Sequence, residues 1–287
     1  MSSEHAEDAR EVDVPVEAIQ TVDPAVVANL PWGTHVISIQ AHGASFWTRT
    51  ARVDAERDGV QVAYFLKVAS TSPDTVCLST ASGERGRQMM SSEHHCMSKI
   101  RAVMHDLVPE PLAWGTYADI PDVHFFLCEF RSMTGGIPDI ETFTSKMAKL
   151  HSVGTSPMGG LGLMSSLFMG IRRSIMGPSD EIKELMDPFF KKVIPCLLRP
   201  LESGGRYIFP SLTHGDLWHG NASMDEESGM PIIFDAASFY AHNEYELGVW
   251  RQPWNKINES YRMRYHEHFP PSEPKEDYDD RNALYAT

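Results

Sequence analysis

Thr213-His214-Gly215-Asp216-Leu217-Trp218-His219-Gly220-Asn221, followed at a short distance by Ile232-Ile233-Phe234-Asp235, decides how this chain is to be read. The stretch sets a carboxylate at Asp216 and a carboxamide at Asn221 in the spacing His-x-Asp-x-x-x-x-Asn, and a short apolar run then delivers a second carboxylate, Asp235. That spacing is the one found in phosphotransferase catalytic loops. Phosphoryl transfer asks for little covalent chemistry from a protein. It needs a base to orient a hydroxyl and oxygen ligands to hold Mg²⁺ on the phosphates. Asp216 is the candidate base, and Asn221 and Asp235 are the candidate Mg²⁺ ligands, because Mg²⁺ takes one or two hard oxygen ligands from protein and completes its shell with water and phosphate. The plainer readings are a turn or cap for Asp216 and a glycosylation acceptor for Asn221 in Asn221-Ala222-Ser223.

The loop reads HGD rather than HRD, which is closer to small-molecule kinases such as the aminoglycoside phosphotransferases than to protein kinases. The longer string, HGDLWHGN (214–221) through IIFDAASFYAHNEYELGVWR (232–251), resembles the fructosamine kinase family, also called ketosamine-3-kinases or protein-ribulosamine 3-kinases. HGDLW-x-GN and FD-x-A-x-(F/Y)-Y-x-x-x-E-x-E-L carry the resemblance, and weaker matches extend it from about residue 35 to the end. It implies an α+β, protein-kinase-like bilobal fold with a β-rich N-lobe and a mostly helical C-lobe. It also implies ATP and Mg²⁺ as cofactors. The implied reaction is phosphorylation of the O3 hydroxyl of ribulosamine or fructosamine, on small molecules or glycated lysines of proteins, in a deglycation repair role. Trp218 and His214 are the candidate substrate contacts. Glu244 and Glu246 recur in the family pattern, either near a protonated substrate amine or, as the preferred reading, as structural carboxylates at a helix start. His219 occupies a variable position and reads as loop filler, and Ala236 replaces a common Pro. The competing functions are a kinase for another alcohol and a nucleotide-binding pseudokinase.

Upstream, Lys67 on the strand Tyr64-Phe65-Leu66-Lys67-Val68 resembles the strand lysine that contacts the α- and β-phosphates. Its expected ion-pair partner on the following helix is Glu93, which aligns best with the family, with Glu84 as second choice. A G-x-G-x-x-G pattern is absent; Gly43, Ala44 and Ser45 are the candidate phosphate-covering residues, through backbone N–H groups. Phe126 to Phe130 resembles the link between lobes, with Glu129 and Phe130 at the adenine. An ordinary hairpin turn and a buried strand are the plain readings of these two segments.

The 287 residues carry a formal net charge of −14, which argues against a nucleic-acid or anionic-membrane partner. The chain is long enough for two lobes around a cleft. Four scattered cysteines without metal spacing, and no signal peptide or apolar span of membrane length, favour a reduced, cytoplasmic protein. Oligomeric state is left open. His94-His95 and His266-x-His268 lack the partners a zinc site needs and read as packed or solvated residues.

Residues 1–33 are expected to form an N-terminal lead with a short helix started by Asp23-Pro24, 34–130 the N-lobe and 131–287 the C-lobe. In the N-lobe, Asp58-Gly59 marks a hairpin and Ser82–His105 a helix. In the C-lobe, helices are expected over Asp139–His151, over Glu181 to about Leu198 after a Pro178-Ser179-Asp180 cap, and from near Glu244. The Pro-rich loop at 270–277 is close to the chain end, so the C-lobe reads as short.

Overall fold

The computed structural model describes residues 14, 16–43, 48–70, 85–156 and 188–287. They form two compact units, one built from the chain up to His94 with Pro111–Phe130, the other from His95–Glu110 with Arg131–Thr287.

The first unit is an antiparallel five-stranded sheet. Its strands are β1 (Thr34–Ala41), β2 (Arg49–Arg57), β3 (Val60–Ser70), β4 (Pro111–Thr116) and β5 (Val123–Glu129), in the spatial order β1-β2-β3-β5-β4. Asp58 and Gly59 join β2 to β3 with φ of 53° and 78°. Positive φ at both central residues is what a two-residue hairpin turn needs to match strand twist, and Asp-Gly supplies it at low cost. Along β3, Leu66 and Val68 enter the core with Val53, Phe125 and Leu127. Lys67 therefore projects from the opposite face, because side chains alternate along a strand.

The apolar face of the sheet is covered by the N-terminal segment, a 3₁₀ turn over Val16–Ile19 and helix α1 (Pro24–Val27). Ala18 and Val26 share the sheet's core. Asp23 is the clamp. It is buried, caps α1 through the Ala25 N–H at 2.7 Å, and also accepts from Ala118 N and Asp119 N at 2.8 and 3.0 Å. The described part of the segment read as a lead, from Val14 on, thus packs into this unit. Helix α2 (Arg85–Val103) follows the sequence expectation over the described residues, and the division between units falls within it.

The second unit is mainly helical, with two small two-stranded antiparallel sheets. Helix α3 (Ile140–Val153) starts at Asp139, whose side chain accepts from Thr142 N at 2.9 Å, and ends at Gly154. Its buried stripe of Phe143, Met147, Leu150 and His151 has helical spacing. Residues 188–198 are helical, ending in α4 (Ile194–Leu198); the cap expected at 178–180 lies outside the described residues. Strands β6 (Ser211–Thr213) and β9 (Phe239–Ala241) pair, as do β7 (Ala222–Met224) and β8 (Pro231–Ile233). Helix α5 (Asn243–Glu246) is a single turn, followed by α6 (Glu259–His268) and, beyond the Pro-rich loop, α7 (Tyr278–Tyr285). Phe143, Trp250 and Tyr261 form an aromatic core, with ring centroids 5.8 to 6.5 Å apart. Among the described residues no helix is long and apolar enough to cross a membrane.

Helix α7 is fastened by a fully buried ion pair. Arg281 donates from Nε to Glu244 Oε2 at 2.9 Å and from Nη2 to Oε1 at 3.2 Å, and it also bonds the carbonyls of Ser272 and Pro274, both at 2.7 Å. Removing one partner of such a pair leaves the other charged and buried, at a cost of about 3–5 kcal/mol. Arg281→Ala is expected to lower the unfolding free energy by that order in urea titration, and adding Glu244→Gln should recover part of the loss.

Candidate active site

In the first unit, Lys67 and Glu93 form the expected ion pair, Nζ to Oε2 at 2.9 Å, with both residues buried. Glu84, the second choice, lies outside the described residues, as do Ala44 and Ser45. Gly43 is described. It has φ of 80°, just past a backbone bond from His42 N to Thr50 O at 2.9 Å, so it turns the chain where the β1–β2 hairpin opens. Phe130 follows β5, and its N–H donates to Ala63 O at 3.1 Å, so this amide is already engaged. Its ring carries the Arg52 guanidinium at 4.5 Å and meets His42 edge-on at 5.0 Å. Glu129 pairs with Tyr64 in the β3–β5 ladder.

In the second unit, hairpin register brings the loop residues together. Ala222 faces Ile233 in the β7–β8 pair, so Asn221 and Phe234 are the next positions outward, joined by Phe234 N to Asn221 O at 3.1 Å. Asp235 follows directly, exposed and at φ of 58°, a left-handed conformation that Asp tolerates better than most residues. On the other side β6 leads into His214-Gly215-Asp216. Gly215 has φ of 86°, and a Cβ there would come within 2.4 Å of the Ala237 carbonyl oxygen. The glycine of the HGD motif is therefore a steric requirement.

The Asn221 side chain ties the loop into one piece. Its Nδ2 donates to the Asp216 carbonyl at 2.8 Å and to Asp216 Oδ2 at 3.0 Å. Asn221 Oδ1, an Asp216 carboxylate oxygen and the exposed Asp235 are all hard oxygen donors. Those are ligands that suit Mg²⁺. Among the described residues no group of three or more His, Cys, Asp or Glu forms a protein-only metal cage, so Mg²⁺ here would take much of its shell from phosphate and water.

His214, the other candidate substrate contact, is packed inside the loop. It is fully buried, its Nε2 donates to Phe234 O at 2.9 Å, and its Nδ1 accepts from Asp216 N at 3.3 Å. Both ring nitrogens are engaged inside the loop, so the side chain braces Asp216 and the Phe234 backbone. Trp218 is half-buried, and a Cβ on Gly220 would fall 2.3 Å from its indole. Gly220 is thus what lets the ring lie across the loop.

Glu246 holds the start of the loop. Its carboxylate accepts from the His214 N–H and, at 3.1 Å, from the Gly215 N–H. These amides point away from any strand partner, and the buried carboxylate satisfies both. Both carboxylates are structural, as preferred from the sequence, but they act through Arg281 and the loop amides rather than by capping a helix start. Asn255 was not singled out in the sequence, yet its Oδ1 accepts from the His219 N–H at 3.1 Å across 36 positions of chain. Nothing in the local pattern marks it.

Electrostatics divide the acids. Crowding by protein raises the Asp216 carboxyl above the ordinary Asp range, and the Asp235 and Glu246 charges push the same way against the His214 ring and the Asn221 amide. Burial also opposes the charge of Glu246, but the His151 and His214 rings and the His214 N–H outweigh it and hold that carboxyl below its usual range. His151 Nε2 lies 3.8 Å from Glu246 Oε2.

A lowered carboxyl stabilises the fold above the usual glutamate range, about 4.3, and that contribution disappears as pH falls through the lower folded value. Glu246→Gln is therefore expected to be less stable than wild type near neutral pH, with the gap closing at pH values below about 4. Urea unfolding of both proteins at several pH values checks this.

Comparison with known proteins agrees with this geometry. The fructosamine kinase family model matches residues 176–287. The chain is 47% identical over 77 residues to the ketosamine-3-kinase of Mus musculus, a match covering 27% of this chain and 22% of that protein. It is 30% identical over 149 residues to a chloroplastic protein-ribulosamine 3-kinase of Oryza sativa subsp. indica, covering 52% and 35%. These matches span only about a fifth to a third of the relatives' length. In three dimensions, a proposed fructosamine-3-kinase of Haemophilus somnus 129PT aligns with a TM-score of 0.57 at 16% identity, over 88% of this chain and 82% of that one. The choline kinase LicA of Streptococcus pneumoniae aligns at 0.51 and 11% identity, over 87% and 80%. Residues 176–287 thus match the fructosamine kinase family model, in a chain with the protein-kinase-like fold seen in the aminoglycoside phosphotransferases and choline kinases.

Proposed function

We propose that this chain transfers the γ-phosphoryl group of ATP, with Mg²⁺, to the O3 hydroxyl of a ketosamine, a ribulosamine or fructosamine carried by a small amine or a glycated lysine. The observation that carries the reading is the Asn221 amide bonded to both the carbonyl and the carboxylate of Asp216, in a hairpin that also presents Asp235.

In this mechanism a free Asp216 carboxylate oxygen receives the hydrogen bond of the acceptor hydroxyl and orients its oxygen. As the new O–P bond forms, the bond from Pγ to the leaving oxygen of ADP breaks and the hydroxyl proton passes to Asp216. ATP and Mg²⁺ supply the phosphoryl group and charge neutralisation. Asn221 Oδ1 and Asp235 are assigned to Mg²⁺. The Lys67 ammonium, held by Glu93, is assigned to the α- and β-phosphates, with Gly43 beside them. Glu129 and Phe130 are assigned to the adenine end, through groups other than the Phe130 amide. The raised carboxyl of Asp216 suits a base, because proton transfer is most effective when the base is not too weak for its task. In the family this phosphorylation loosens the sugar–amine link, which is the basis of a repair role for this chain.

Two outcomes test the reading. Wild type should phosphorylate a ribulosamine- or fructosamine-lysine derivative with ATP and Mg²⁺, and Asp216→Asn should be slower by about 10²–10⁴-fold. Because the folded state disfavours ionised Asp216, the sign of the linkage makes Asp216→Asn no less stable than wild type at neutral pH. The acid limb of kcat/KM should lie above the ordinary Asp range, about 3.9. Turnover of another alcohol with none of either ketosamine would overturn the proposed acceptor.

A further inference from the structure

The second unit carries an aromatic surface that the loop chemistry does not use. Trp254 is 57% exposed, in a segment that follows a 3₁₀ turn over Val249–Arg251. Its ring stands edge-on to Trp218, with centroids 5.8 Å apart and planes at 74°, and lies 6.4 Å from His219. Trp218 and His219 are themselves 4.9 Å apart at 85°. Both belong to the loop between Asp216 and Asn221, so the surface is continuous with the candidate base.

An indole left this open in the fold would ordinarily be mobile, but here its backbone is strapped to the loop. Asn255, the next residue, is only 4% exposed. Its Nδ2 donates to Val249 O at 3.0 Å, which turns Oδ1 towards the His219 and Ile257 N–H groups, each at 3.1 Å. The Lys256 N–H reaches back to His219 Nδ1 at 3.3 Å. Buried Ile257 anchors the far end. These bonds fix 254–257 against 218–219 and hold the three rings as a wall of two indoles with an imidazole at its edge.

We infer that Trp254 is an acceptor-binding residue, forming with Trp218 and His219 a wall that takes the apolar C–H face of the acceptor's carbohydrate ring. This rests on the proposed ketosamine reading and names the part of the acceptor that is recognised. A pyranose or furanose is apolar across its face and polar at its rim. Paired indoles match the face, and an imidazole edge matches rim hydroxyls. Aromatic walls with a few placed polar groups are the usual composition of small-molecule sites. The consequence is selectivity: a simple alkyl alcohol or an unglycated amine lacks the face that Trp254 covers.

The test uses the full chain with a fructosamine-lysine derivative as acceptor. In Trp254→Ala the acceptor KM should rise about tenfold, the equivalent of 1.4 kcal/mol of lost binding, while kcat and the KM for ATP stay within about twofold. Trp254→Phe should fall between the two, which separates loss of a ring face from a folding defect. A second readout needs no turnover: titrating the acceptor into Asp216→Asn should change tryptophan fluorescence, with the midpoint about tenfold higher in Asp216→Asn/Trp254→Ala and the change absent with N-α-acetyl-lysine. Ketosamine turnover with an unchanged acceptor KM in Trp254→Ala overturns the inference and leaves the proposed activity standing. No ketosamine turnover by wild type overturns the proposed activity, and the titration then decides the inference: a Trp254-dependent signal with the sugar derivative sustains it, and no signal overturns it.

Discussion

The grip of the Glu246 carboxylate on the His214 and Gly215 amides is the contact on which the candidate site depends. A catalytic loop must leave β6, reverse direction and present Asp216 without a strand partner for its first N–H groups. A buried carboxylate supplies both missing acceptors at once, and charge-assisted bonds of this kind are about twice as strong as neutral ones. Gly215 makes the reversal sterically possible, and the His214 ring spans the gap from Asp216 N to Phe234 O. Asp216 is therefore aimed by Glu246, Gly215 and His214 together.

Helix α5 is short for such a task, and its anchoring explains how it serves. Glu244 and Glu246 are two residues apart, so on a helix they point about 200° apart. One carboxylate faces the catalytic loop and the other faces Arg281 on α7. His151 on α3 and Tyr265 on α6 close the same region through a 2.8 Å bond between Nδ1 and the phenol oxygen. The last helix of the chain is thereby linked to the loop by two adjacent buried charge sites, and the isolated-helix instability of a single turn is offset by tertiary contacts.

The two acids serve opposite purposes in one site. Glu246 is buried but well solvated by N–H groups and histidine rings, and it stays ionised. Asp216 is open on one side, yet it is disfavoured as an anion by crowding and by its acidic neighbours. Tension of that sort is the usual signature of a functional site, where local stability is sacrificed for reactivity. A divalent cation near Asp235 would relieve it, which is one reason the oxygen donor set and Mg²⁺ are compatible.

Much of this was legible in the residues. The strand containing Lys67, the helix containing Glu93 and their pairing followed from alternation, helix length and the family pattern. The Asp58-Gly59 hairpin and the Asp23-Pro24 helix start followed from local backbone chemistry. Local patterns are readable because each acts through bonds between near neighbours in the chain. The packing of His214 inside the loop is not legible in the motif, because a motif position reveals that a side chain matters, not which way it faces. The sequence by itself determined the element types, the loop that holds Asp216 and Asn221, and the chemistry those residues can offer. Only the tertiary structure decided that Glu246 carries the loop, that His214 is buried and that Asn255 straps Trp254 beside Trp218. Those contacts join residues about 30 to 40 positions apart. Such contacts depend on which faces are brought together when the core closes, and no spacing rule along the chain encodes that.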